Sequence, residues 1–439
     1  MLALRRLGAG GERRVPEMRK MWLVQVPARP RKQDHYLLRL RTYVAPLGQV
    51  LANDLKMNEN AIAVLHAALQ ADIPVMMWGP PGIGKSSMVQ TVARKLGLPC
   101  EVVVGSVREP SDFAGLPVVR ENGGEIPEVP MAPPDWAMRL AKSNEGILFL
   151  DEITTAPPAV QAAMLRVVLD RAVGSLTLPR GVRVVAAGNP SDQAADGWEL
   201  APPLANRFLH LETHPDVDVF VAGMTLGWDS VTPVVPLYQA DEAAIANARA
   251  LVTGFISTRR DVLHQMPANE AAAGRAWPSP RSWEMVARVL PYLPDDHTAR
   301  NLSVCGLIGD GAGTEFLAWR ENSDLPDPRD VIADPAIMNW NDRPDRIFSV
   351  TTSLIAYFAA ANPGDRKGKA DLWAKTWRAI GYAGEHGPPD ILALAAKQLL
   401  GLRDKSWAFP PEAKVFLEVL RDAGLTREAF FQKAKKTRV

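Results

Sequence analysis

The chain has 439 residues, 47% of them apolar, and 50 lysines and arginines stand against 49 aspartates and glutamates. This is enough apolar material for sizeable cores, and a net charge of +1 offers no global field for nucleic acid, an anionic membrane or an acidic substrate, so any charged site must be local. Cys100 and Cys305, the two cysteines, make neither a disulfide framework nor a Cys-x-x-Cys pair, and no apolar run approaches the roughly 20 residues of a membrane span, which points to a cytoplasmic protein that is neither exported nor inserted.

Residues 1–45 carry "LRRLGAGGERRVPEMRK" and "RPRK" with weak periodicity, and read as a basic, mobile extension. A nucleic-acid tether and an organelle transit peptide are the alternatives there. From 46 to 214, short apolar runs alternate with helical segments, the pattern of βα units on a parallel sheet. The runs are "PVMMW" (74–78), "CEVVV" (100–104), "GILFL" (146–150), "RVVAAG" (183–188) and "RFLHL" (207–211). Runs without polar alternation suit a sheet covered on both faces. Two stretches interrupt the alternation: 115–131, two short strands about an "NGG" turn, and 172–181, a smaller hairpin. Beyond 214, helical segments are expected at 241–266, 280–292 and 297–320, which make a domain of 215–320. A proline-broken linker at 321–330 then precedes a further helical domain, 331–439, that ends in the basic "REAFFQKAKKTRV".

The chemistry begins at "GPPGIGKSS", Gly79, Pro80, Pro81, Gly82, Ile83, Gly84, Lys85, Ser86 and Ser87, placed between an apolar run and a helix that Gly97 stops. Gly79, Gly84, Lys85 and Ser86 fit G-x-x-x-x-G-K-[ST], in which the glycines let backbone N–H groups turn inward around phosphate. Lys85 supplies a cation to the β and γ phosphates of ATP, and Ser86 a hydroxyl to Mg2+. The helix N-terminus adds its positive dipole end. "GILFLDE" delivers Asp151 and Glu152 to the carboxyl edge of the sheet, Asp151 to hold Mg2+ and Glu152 to act as general base on water. "VVAAGNP" ends another strand on Asn189, an amide placed to hydrogen-bond the γ phosphate or the water.

In this order the motifs resemble the AAA+ ATPases, in particular the MoxR group, across residues 60–290. The resemblance implies a P-loop α/β parallel sheet core, an α-helical lid and an additional helical C-terminal domain. It makes "GPPGIGKS" the Walker A motif, "LFLDE" Walker B and Asn189 sensor 1. "LAPPLANRFLHL" is similar to the family's arginine-finger segment, which gives Arg207 to the nucleotide of the neighbouring subunit. "WPSPRSWEMV" is similar to sensor 2, which gives Arg281 to the γ phosphate of its own subunit. Arg281 falls in the first turn of a helix capped by Ser279 and begun by Pro280, an awkward place for a cation until an anion arrives. Arg171 reads as a solvated helix-end residue, with an inter-subunit role as the alternative. His210, His214 and Cys100 read as structural, and Trp373 and Trp377, one helical turn apart, as packing between helices.

The family further implies a homo-oligomeric ring, usually a hexamer, that remodels, matures or inserts metal into a client protein, often one with a von Willebrand A domain. A nucleic-acid translocase is the alternative, and it would need a basic, aromatic pore, whereas residues 115–131 offer one arginine against three glutamates. A nucleotide-binding switch without turnover is the third reading.

Overall fold

A computed structural model describes residues 60–413 apart from 121–127, 191–192, 194–196, 229–239, 294–295, 322 and 405. The basic extension expected at 1–45, the "NGG" turn and the C-terminal tail therefore lie outside the described residues.

After a helix at 60–70 (α1), the chain alternates strands and helices: β1 (Val75–Trp78), α2 (Lys85–Lys95), β2 (Cys100–Val104), α3 (Ser111–Ala114), β3 (Leu116–Pro117), β4 (Met131–Ala132), α4 (Asp135–Ser143), β5 (Glu145–Asp151), α5 (Pro158–Asp170), β6 (Ala172–Val173), β7 (Leu176–Thr177), β8 (Gly181–Gly188), α6 (Pro202–Ala205) and β9 (Leu209–Glu212). Five strands form one parallel sheet in the order β2-β5-β8-β1-β9. Alternate side chains of each strand enter separate cores. Val75, Met77, Ile147, Phe149, Val185, Ala187 and Leu211 join α1 and α2 on one face, while Met76, Trp78, Leu148, Leu150, Val184 and Ala186 join α4 and α5 on the other. A period of two delivered to two cores leaves no solvent face, which is why the strands read as unbroken apolar runs.

The two expected hairpins are present in their described parts: β3 pairs antiparallel with β4, extended by a bridge from Arg120 to Glu128, and β6 with β7. One boundary differs. Arg207, expected to open the last strand, sits in the turn between α6 and β9, because Pro202 and Pro203 nucleate a helical turn that ends only at Ala205.

The helices that follow are α7 (Val217–Leu226), α8 (Glu242–Thr258), α9 (Glu270–Ala273), α10 (Pro280–Val289), α11 (His297–Ile308), α12 (Asp310–Glu321), α13 (Pro328–Ala333), α14 (Pro344–Ala360), α15 (Arg366–His386) and α16 (Pro389–Gly401). The segment expected as one helix at 297–320 is two, since Gly309 at φ 78° closes α11 and starts a new direction. The segment expected at 241–266 stops at Thr258 and passes into a single 3-10 turn at Arg260–Leu263. Trp283, Val286, Leu307 and Phe316 of this helical layer extend the α1/α2 core. Asp327 and Asp334, in the acidic stretch, cap the turns that follow them by accepting from Arg329 N–H and Ala336 N–H. A third core is made by Trp340, Ile347, Leu354, Phe358, Trp373 and Trp377 of the C-terminal helices, so the two tryptophans are indeed packed between helices. α14 lies along α8, where a Cβ on Gly254 would collide with Ser349. Among the described residues no helix is long and apolar enough to cross a membrane.

Candidate active site

β1, β5 and β8 lie side by side and end at the same edge, so the loops that follow them converge. After Trp78 the chain turns through Gly79 to Gly84. Gly82 and Gly84 hold φ of 79° and 89°, with open space where a Cβ would be, which leaves the backbone N–H groups around them free to face a phosphate. Gly79 is required for a different reason. A Cβ there would lie 2.5 Å from the Thr213 carbonyl, at the point where Thr213 Oγ1 donates to the Trp78 carbonyl (2.6 Å).

Lys85 opens α2 and is nearly buried. Its Nζ donates to the carbonyls of Gly79 (2.8 Å) and Pro80 (2.9 Å) and to Asn189 Oδ1 (2.9 Å), so all three ammonium protons have partners, two in the loop and one beyond β8. Burial pulls its pKa below the usual lysine range, and the Asp151 carboxylate pulls the other way. Ser86 Oγ donates to Asp151 Oδ2 (2.6 Å), which puts a hydroxyl and a carboxylate, both hard oxygen ligands suited to Mg2+, at one point beside the loop. Asn189 follows the end of β8. Its backbone N–H donates to Thr154 Oγ1 (3.2 Å), which also donates to the Asn189 carbonyl, and this reciprocal pair aims the amide at Lys85.

Glu152 is the residue just beyond β5, with φ 54° and ψ 39°, a left-handed conformation that a non-glycine residue adopts only where its surroundings demand it. Its N–H donates to Asp151 Oδ1 (3.0 Å), and its Oε2 accepts from Ser106 Oγ (2.5 Å). Ser106 was not visible as a site residue in the sequence. It reaches Glu152 because β2 and β5 are neighbours, with Val104 in register with Asp151, and no motif reports which strands are adjacent.

These positions coincide with the match to known proteins. Residues 74–208 match the AAA domain (dynein-related subfamily). Protein MoxR of Methylorubrum extorquens is 31% identical over 183 residues, 41% of this chain and 51% of that protein. Over the residues that build this site the chain is thus similar to AAA ATPases of MoxR type. The pathogenicity-locus regulatory protein WtsA of Pantoea stewartii subsp. stewartii is 25% identical over 135 residues, 30% of this chain and 41% of that one. The alignments thus span about half or less of these relatives. A Cytophaga hutchinsonii crystal structure, described as an ATPase, covers 63% of this chain and 84% of its own at 16% identity and a TM-score of 0.36.

Arg207 and Arg281 stand together, away from the P-loop. They line one cleft with Asp72, Arg171, Glu284 and Arg288, beside Pro74, which precedes β1, so the cleft lies at the amino edge of the sheet. β1 alone separates that edge from the P-loop by about 13 Å. The placement departs from the expectation for Arg281, which stands beside Arg207 at the opposite end of β1 from the P-loop. Burial and the adjacent Arg281 both lower the pKa of Arg207, against a smaller pull from Asp170. Arg207 Nη1 donates to the Pro203 carbonyl, while its Nε is buried with no hydrogen-bond partner. Arg281 makes only a 3.5 Å contact with Asn206 Oδ1 and no ion pair among the described residues. It sits in the first turn of α10, where Ser279 and Ser282 form the expected cap, each side chain accepting from the other's backbone N–H.

Arg171 also departs from expectation. It is the left-handed C-terminal residue of α5, and it pairs with Asp72 and donates to the carbonyls of Pro179, Arg180 and Val182. It fastens the hairpin to the sheet rather than standing in solvent. Cys100 packs against the core, and burial pushes its thiol up to about 11, which makes it a poor nucleophile.

Proposed function

We propose that this ATPase works as a Mg2+-dependent homo-oligomeric ring, six-membered as in its family, that spends ATP hydrolysis on remodelling, maturing or metallating a client protein in the cytoplasm. The observation that carries the reading is the separation of the site into two halves. The carboxyl edge holds the P-loop, Asp151, Glu152 and Asn189, while the amino edge holds Arg207 and Arg281, so a complete site needs the amino edge of a second copy. Two neighbouring cations, Arg281 at a helix N-terminus and Arg207 with an unpartnered buried Nε, form a site short of an anion, which a triphosphate on the next subunit supplies.

The residues of 79–87 would hold the phosphates, with Ser86 and Asp151 holding Mg2+, and bound MgATP supplies the transferable γ phosphoryl group together with a charge-neutralising metal. Lys85 turns its ammonium from the Gly79 and Pro80 carbonyls to the phosphate oxygens. Asn189 orients water through its amide. Glu152 accepts that water's proton on its carboxylate after giving up the Ser106 hydroxyl. Arg207 and Arg281 of the adjacent subunit stabilise the negative charge that develops.

A protein client is favoured over nucleic acid by the hairpin of β3 and β4. Its described part exposes Leu116, Val118, Val119 and Val129, an apolar surface suited to polypeptide and lacking the cationic groove that a phosphodiester backbone requires. A client with a von Willebrand A domain is the family's usual kind. The test is capture of the Glu152→Gln protein from native cell extract with ATP and Mg2+, with and without nuclease. The reading expects a protein that co-purifies regardless of nuclease and is lost with Lys85→Ala. Recovery of nucleic acid, or of partners released by nuclease, would overturn it in favour of a translocase.

A further inference from the structure

The P-loop and the arginine edge lie at opposite ends of β1 and β9, yet a run of buried hydrogen bonds, bridged once by the Ala205–Asn206 peptide, joins them. Trp78 is the residue immediately before Gly79, and its indole Nε1 donates to His210 Nδ1 (2.8 Å), the two rings lying nearly parallel at 11°. An indole N–H can only donate, so Nδ1 must be the bare nitrogen and the proton sits on Nε2. That proton goes to the Ala205 carbonyl (2.9 Å), at the end of α6 and two residues before Arg207. Asn206, between them, donates from Nδ2 to the Trp277 carbonyl (3.0 Å) and accepts on Oδ1 from Ser279 Oγ (2.6 Å), the cap of the helix that bears Arg281. Every side chain in this run, Trp78, His210, Asn206 and Ser279, is buried.

The free face of the indole is closed as well. The Arg275 guanidinium lies 3.6 Å from the Trp78 ring centroid and pairs with Glu212 (2.7 Å) at the end of β9. Burial, together with the nearby Arg275, keeps His210 neutral down to about pH 4, so its bare Nδ1 is available at any physiological pH. The Trp78 carbonyl is held by both the N–H (2.7 Å) and the Oγ1 (2.6 Å) of Thr213, so the peptide that opens the P-loop cannot shift without moving Trp78 and the end of β9.

We propose that Trp78 and His210 are positioning residues that tie the P-loop to the arginine edge of the same subunit, so that a nucleotide bound by one subunit sets the attitude of the Arg207 and Arg281 which that subunit presents to the next. The proposal rests on the ring reading above. Its chemistry is rigidity: an imidazole with both nitrogens engaged transmits a displacement at Trp78 to Ala205, and the Asn206 amide shares that displacement with the cap of α10. Subunits would then hydrolyse in sequence rather than independently.

A double-mutant cycle on the full chain tests this, because a residue that acts through Arg207 loses its effect once Arg207 is gone. Trp78→Phe keeps a six-membered ring for the Arg275 stack and removes the Nε1 donor with the five-membered ring that carries it. It is expected to lower kcat for ATP about tenfold and bring the Hill coefficient for ATP close to one, with binding of a fluorescent ATP analogue changed less than twofold. In an Arg207→Ala background the same substitution is expected to cost less than twofold. His210→Leu, which removes both the acceptor for Trp78 and the donor to Ala205, should reproduce both results and covers the case in which Trp78→Phe fails to fold. Additive losses, an unchanged Hill coefficient, or a loss of nucleotide affinity that accounts for the whole effect would overturn the proposal. Absence of turnover in the wild type would overturn the ATPase reading and the proposal with it, and the wild-type trace alone identifies that case.

Discussion

At the scale of single residues, the chemistry of Glu152 is set by a partner that has no motif. Ser106 Oγ donates to the carboxylate at 2.5 Å, which fixes the direction in which it points. A general base must exchange this bond for one to water before it can take a proton, so Ser106 restrains turnover in the resting site. Ser106→Ala is expected to raise unstimulated ATP turnover about fivefold, the equivalent of a ~1 kcal/mol hydrogen bond removed from the ground state, while KM for ATP stays where it was. Steady-state kinetics decides the matter, since a fall in kcat of similar size would make Ser106 an aid to the base instead. The P-loop residues, Asp151, Glu152 and Asn189 were legible because each function lies within a few contiguous residues at the end of an apolar run. Ser106, Trp78 and His210 were not, because their meaning depends on the sheet order, which places β2 against β5 and β1 against β9.

At the scale of elements, strands were readable to within two residues because their apolar runs are bounded by polar or glycine positions, while helix ends depended on single backbone conformations. Gly309 at φ 78° divides what looked like one helix, and Pro202 and Pro203 convert the approach to β9 into α6, which moves Arg207 off the strand. The cap of α10 shows how one local signal carries tertiary weight. Ser279 accepts from Ser282 N–H as the sequence anticipates, and it also donates to Asn206 at 2.6 Å, a contact between segments 73 residues apart. Ser279→Ala removes the cap and leaves the buried Asn206 oxygen short of a strong donor, with an expected cost of about 2 kcal/mol, seen as a lower Tm in thermal unfolding. Ser279→Thr, which keeps the hydroxyl, should retain most of the stability. A loss below about 0.5 kcal/mol in Ser279→Ala would mean that the junction between α6 and α10 is held by packing alone.

At the scale of the whole molecule, the arginine motifs assign Arg207 and Arg281 to different nucleotides, whereas the structure sets the two side by side, which reopens the question of which nucleotide each serves. The answer depends on how α10 packs beside the sheet, a long-range arrangement that no local pattern encodes. On the ring reading, Arg281 beside Arg207 at the amino edge puts both guanidinium groups in the site of another subunit, so that each chain carries half of two sites. This division predicts complementation. Lys85→Ala retains the arginines without a working P-loop, and Arg207→Ala retains the P-loop without the finger, so each protein alone is expected to lose about a thousandfold or more in turnover. In an equal mixture, random assembly pairs an intact P-loop with an intact arginine edge at about a quarter of the interfaces, and turnover should recover measurably but stay below that fraction of wild type, because the arginines at those interfaces come from subunits without a working P-loop. Pre-assembled rings that cannot exchange subunits should show no recovery, which supplies the control. If Arg207 and Arg281 acted on the nucleotide of their own chain, no interface in the mixture would hold a complete site, and mixing would restore nothing.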